Sequence, residues 1–80
     1  MTKLSLKLLR EKRGLTQSEL SVLTDISLRT IQSYESKNGR DINHASLYSL
    51  LLFSKVLRCS LIDLIDDPEL IKLILAAKIK

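Results

Sequence analysis

In 80 residues the chain has one cysteine, one proline, two glycines, no tryptophan and three aromatic residues, Tyr34, Tyr48 and Phe53. The single Cys59 excludes an internal disulfide and a cysteine-based zinc cluster, and it fits a reducing, cytoplasmic setting. So few aromatics leave no stacking platform for RNA bases. The core is therefore expected to be aliphatic, built from Leu and Ile. No apolar run at the N-terminus is long enough for a signal peptide or for a membrane span of about 20 residues. Strand signals are missing as well: alternation is never sustained, and no Asn-Gly or Asp-Gly turn lies between β-branched runs.

What remains is 45% hydrophobic and 28% charged, too apolar for a disordered tail and suited to packed helices. A chain of this length is expected to make one core, without a second catalytic or sensory domain. The net charge is +4, and its distribution says more than its size. Residues 1–40 carry eight Lys and Arg against four acids, and residues 41–80 carry five against five. All of the excess lies in the first half, so one side of the domain is expected to meet an acidic partner.

The few helix breakers sit where helices begin or end. Gly14 follows a leucine-rich segment with Arg10, Lys12 and Arg13 in its last turn, which predicts a first helix over about residues 3–13. Thr16-Gln17-Ser18-Glu19 is a capping box flanked by Leu15 and Leu20, and it opens a second helix over residues 17–23. Ser27 caps a third over residues 28–36, with Ile26 and Ile31 at the same staple spacing. After the turn-forming stretch 37–41, Asn43 is read as the cap of a fourth helix over residues 44–58. Its expected buried stripe is Leu47, Leu50, Leu51, Ser54 and Leu57. Ser60 and Asp63 cap a short fifth helix reaching Asp66. Pro68 then opens another, apolar on nearly every side from Leu70 to Ile79 except at Lys72 and Lys78.

The second and third helices are separated only by Thr24, Asp25 and Ile26, the layout of a helix-turn-helix. At about 100° per residue, Ile31 and Tyr34 fall on one side of the third helix, and Leu28, Arg29, Gln32 and Ser33 fall opposite. Those four types suit base edges in a major groove. Arg forks onto guanine, Gln pairs with adenine, Leu meets a thymine methyl, and Ser bonds to a base or a phosphate. Free N–H groups near Gln17 and Ser18 can clamp a phosphate, and Lys37, Asn38 and Arg40 in the next loop can touch the DNA backbone. Taken alone, Arg29 and Gln32 describe an ordinary solvated helix face; the motif around them favours DNA.

The segments LLREKRGLTQSELSVLTDISLRTIQSYES and DINHASLYSLLLFSKVLRCSLIDLI resemble the phage-repressor type of helix-turn-helix, the Cro/C1-type or lambda-repressor-like family, over about residues 4–66. The resemblance implies an all-α, five-helix DNA-binding domain, placed at residues 1–67, and the helix opened by Pro68 is expected as an additional C-terminal helix at 68–80. It implies a transcriptional regulator, typically a repressor, that binds double-stranded operator DNA as a homodimer. Carried across by position, it makes Gln17 a phosphate contact that also supports the third helix, makes Leu28, Arg29, Gln32 and Ser33 the base-facing set, and pairs Arg10 with Glu35. Asp25 stands where the family usually has glycine, and Ser21 where it usually has alanine.

Tyr48 and Leu52, with Leu70, Ile71 and Ile74 of the tail, form a candidate dimer interface; the competing reading packs the tail on its own core. Lys12 and Arg13 are read as solvated cations that add long-range attraction to DNA. His44 has no second ligand at metal spacing, Cys59 reads as a small apolar residue, and no Ser, His and Asp stand at catalytic spacing. No cofactor, metal site or enzymatic activity is expected. Two alternatives stay open: an antitoxin-type regulator whose main partner is a toxin protein, and an interaction module that has lost DNA binding.

Overall fold

A computed structural model of the chain describes residues 5–36, 38–65 and 67–77. They form six α-helices and one 3-10 turn, with no strand among the described residues: α1 (Ser5–Lys12), α2 (Gln17–Thr24), α3 (Leu28–Tyr34), the turn Ile42–His44, α4 (Leu47–Leu57), α5 (Leu61–Leu64) and α6 (Pro68–Ala77). The all-α expectation and the extra C-terminal helix both hold.

Local chemistry sets the helix starts. The Thr16 hydroxyl accepts the Glu19 N–H at 3.0 Å, and the Glu19 carboxylate accepts the Thr16 N–H at 2.8 Å, closing the capping box that begins α2. Ser27 accepts the Thr30 N–H and starts α3. Asp25, between them, takes the left-handed conformation at φ 59° that its glycine-like position demands.

The start of α4 differs from the expectation. Asn43 lies in the 3-10 turn, which Asp41 caps, and the cap of α4 is Ser46, whose hydroxyl accepts the Ser49 N–H at 3.1 Å. Moving the cap three residues changes the partner across it: the fourth helical position is Leu50, which is buried, and Leu47 points outward. The inward stripe is accordingly Leu50, Phe53 and Leu57, whereas Leu47, Leu51 and Ser54 lie outside it. Phe53 is completely buried and meets the Tyr34 ring edge-on, with centroids 6.1 Å apart. The third helix also ends earlier than expected, at Tyr34 with Glu35 as its cap. The expected ends of the outer helices at residues 3–4, 66 and 78–79 lie outside the described residues.

One core joins all six helices. Leu6, Leu20, Ile31, Phe53, Leu57, Leu61 and Leu64 form its centre, and Ile42, Leu50, Ile65 and Ile74 complete it. Truncating a well-packed Leu or Ile there to Ala costs about 2–5 kcal/mol, a large part of the stability of a domain this size.

Candidate nucleic-acid interface

The third helix is held from three directions. Its inner side is Ile31, with no exposed surface, and Tyr34 against Phe53. Its leading end is fixed through Ile26. The Ser21 hydroxyl donates to the Ile26 carbonyl at 2.6 Å, and the Ile26 N–H donates to the Thr24 hydroxyl at 3.3 Å, while that hydroxyl donates to the Leu20 carbonyl at 2.7 Å. Both backbone polar groups of Ile26, in the two peptide units that flank it, are thus bonded to α2 side chains, which fixes the direction in which the chain enters α3. In the sequence Ser21 stands out only as occupying a position where the family usually has alanine, and Thr24 only as part of the turn. Hydroxyls at the end of a helix, just before a left-handed residue, were the available signal.

Its trailing end is fixed through Glu35. The Arg10 guanidinium donates from Nε to Glu35 Oε2 at 2.8 Å and from Nη2 to Oε1 at 2.9 Å, a two-pronged pair with each residue only 8% exposed. The third prong, Nη1, donates to the Leu15 carbonyl at 2.7 Å. The Gln17 side-chain amide donates to Glu35 Oε1 at 3.0 Å. One carboxylate therefore ties α1, the start of α2 and the end of α3 together. The hydrogen bond to Glu35 outweighs burial and pushes the Arg10 pKa up, so the guanidinium stays charged. Removing either partner would strand a buried charge, which costs about 3–5 kcal/mol.

Between these anchors the outer face of α3 is open. Leu28, Arg29 and Gln32 are exposed, and among the described residues the side chains of Arg29 and Gln32 make no hydrogen bond or ion pair. Ser33 differs from its three neighbours: it is half-buried, and its hydroxyl accepts the Arg40 N–H at 3.0 Å. At the head of α2 the capping box uses the N–H of Glu19, and the Thr16 carbonyl receives that of Leu20, while those of Gln17 and Ser18 have no hydrogen-bond partner among the described residues. Gln17 spends one amide hydrogen on Glu35 and keeps the other. Asn38 and Arg40 are exposed in the loop after α3; Lys37 lies outside the described residues.

Arg13 corrects the expectation of a merely solvated cation. Its guanidinium donates to the carbonyls of Leu57 and Arg58 at the end of α4. Nothing local in the sequence signals a contact between segments so far apart. Of the candidate association residues, Tyr48 is 73% exposed and Leu52 is half-buried. Ile74 is buried in the core, and Leu70 and Ile71 pack against it, so the tail turns Leu73 and Leu75 outward instead.

Other chemistry is sparse. His44 is exposed and 4.0 Å from Asp41, and no cluster of three or more metal-ligating side chains occurs among the described residues. Burial, aided by the charge of Asp63, pushes the Cys59 thiol pKa up, away from thiolate reactivity. No helix among the described residues is long and apolar enough to cross a membrane.

A family model described as helix-turn-helix matches residues 6–64. No curated relative and no solved structure matches the chain significantly.

Proposed function

The chain belongs to the Cro/C1-type helix-turn-helix family of DNA-binding transcriptional regulators, and we propose that it is a repressor that reads a palindromic operator as a homodimer. In this reading α3 lies in the major groove. Arg29 forks onto guanine, Gln32 pairs with adenine, and Leu28 meets a thymine methyl. The open N–H groups of Gln17 and Ser18 and the side chains of Asn38 and Arg40 grip the flanking phosphates. A single short helix reads only a few base pairs, so two copies spaced about 34 Å apart supply the selectivity that one lacks.

The observation that carries the reading is the division of α3: Ile31 is sealed in the core while Arg29 and Gln32, across the helix, are exposed and unengaged among the described residues. Selection from random duplexes at near-physiological salt tests it. The expected result is an enriched, roughly palindromic site, with Arg29→Ala relaxing one base preference by about 1–3 kcal/mol. No enrichment, or an equal loss on every sequence, would overturn it. Leu73 and Leu75 favour a second reading in which the tail also holds a protein partner, as an antitoxin does; a stable heterocomplex that dissociates on Leu73→Asp would support it.

A further inference from the structure

The loop after α3 folds back onto that helix and does not leave it freely. Four contacts hold it. The Ser36 N–H donates to the Ser33 carbonyl at 3.2 Å, the Gly39 N–H to the Ser36 carbonyl at 3.2 Å, the Asn38 N–H to the Ser36 hydroxyl at 3.4 Å, and the Arg40 N–H to the Ser33 hydroxyl at 3.0 Å. Gly39 passes so close to the Ser33 backbone that a Cβ at residue 39 would collide with the Ser33 carbonyl. Only a residue without a side chain fits there.

Ser33 stands one helical turn beyond Arg29 on the same flank of α3. The latch consequently sets the backbone of Arg40 at the end of the row formed by Arg29 and Ser33, while the Arg40 side chain remains exposed and unpaired among the described residues. We infer that Ser33 is a positioning residue: it serves DNA binding through Arg40, by docking the 38–40 loop so that this guanidinium meets a phosphate beside the recognition helix, and it does not read a base. The inference rests on the DNA-binding reading above. It assigns to Gly39 the clearance that lets the latch close.

Two measurements test it. The first is amide hydrogen exchange on the free protein: the Arg40 N–H is protected, loses that protection in Ser33→Ala and Gly39→Ala, and keeps it in Ser33→Thr, which retains a hydroxyl. The second is duplex affinity against salt on the selected site. Arg40→Ala lowers the log–log salt slope by about one and weakens all sequences alike, by about three- to tenfold. Ser33→Ala does the same to a smaller extent without changing any base preference. Adding Ser33→Ala to Arg40→Ala costs nothing more, and Ser33→Thr restores the slope. A changed base preference in Ser33→Ala, additive losses in the double variant, or an unprotected Arg40 amide would each overturn the inference. If the unaltered protein binds no duplex while the Arg40 amide is protected by Ser33, the latch stands and the DNA-binding reading falls, taking with it the role assigned to the latch.

Discussion

The Arg13 guanidinium reaches from the end of α1 to the end of α4, where Nε donates to the Leu57 carbonyl at 2.7 Å and Nη2 to the Arg58 carbonyl at 3.1 Å. The last carbonyls of a helix have no partner within it, and the Arg58 and Cys59 N–H groups already serve Ser54. Arg13 supplies donors to two of the remaining acceptors and sets a cation against the negative end of the helix. Arg13→Ala is expected to lower stability by about 1–2 kcal/mol, since charge-assisted bonds of this kind are worth more than neutral ones but these are partly solvated. Arg13→Lys, which keeps the charge and loses the fork, should recover only part of that. Urea unfolding measures the loss, and the selected DNA sequence should stay the same in both variants.

Arg58 itself occupies the left-handed region, at φ 53° and ψ 51°, as the cap of α4. A side chain there costs about 1 kcal/mol relative to glycine, more than the few tenths gained from a cation near the helix end. Arg58→Gly is therefore expected to stabilise the domain by a net gain of about half a kcal/mol and raise Tm by about 2–5 °C. Asp25→Gly should act in the same direction by less, because Asp tolerates this conformation better than Arg does. Thermal melts of the two variants and their combination check both signs.

These two left-handed residues also show what was legible in the sequence. Asp25 was marked by its place in a known motif, and so were the capping box at Thr16, the pairing of Arg10 with Glu35, and the exposed face of Arg29 and Gln32. All of these depend on neighbours within a few residues or on the family pattern. Arg58 carried no mark, because arginine is not a turn former, and the Arg13 contact joins segments separated by most of the chain. The start of α4 is ambiguous in the sequence for a physical reason: Asn43 and Ser46 are both good caps, three residues apart, in a segment whose leucines run almost without interruption. In such a run Leu47 and Leu51 look as buried as Leu50 and Leu57, and only the packing of Phe53 against Tyr34 settles which side faces inward.

Acid should weaken the α5 cap. The Asp63 carboxylate accepts both the N–H and the hydroxyl of Ser60 at 3.0 Å, and these bonds hold its pKa below the usual carboxylate range. A carboxyl depressed in the folded state stabilises it at neutral pH, and that contribution is lost as pH falls through the folded value. Asp63 is largely solvated, so the effect is small. The wild type should be more stable than Asp63→Asn near neutrality, and the two urea midpoints should converge in strong acid. A gap that persists unchanged at low pH would mean that the carboxylate charge plays no part.

The tail offers the sharpest contrast between two neighbouring side chains. Ile74 is 6% exposed in the shared core, whereas Leu73 is 66% exposed. Ile74→Ala should cost about 2–4 kcal/mol by leaving a cavity, whatever the oligomeric state. Leu73→Asp removes no core packing, so the domain should keep its stability as a monomer. If the flank of α6 that carries Leu73 joins two protomers, Leu73→Asp shifts sedimentation from dimer to monomer without a drop in helical signal. It should then also weaken binding to a full palindrome far more than to a half-site, because each recognition helix is intact and only their coupling is lost. A dimer that persists with Leu73→Asp would place the contact on another surface.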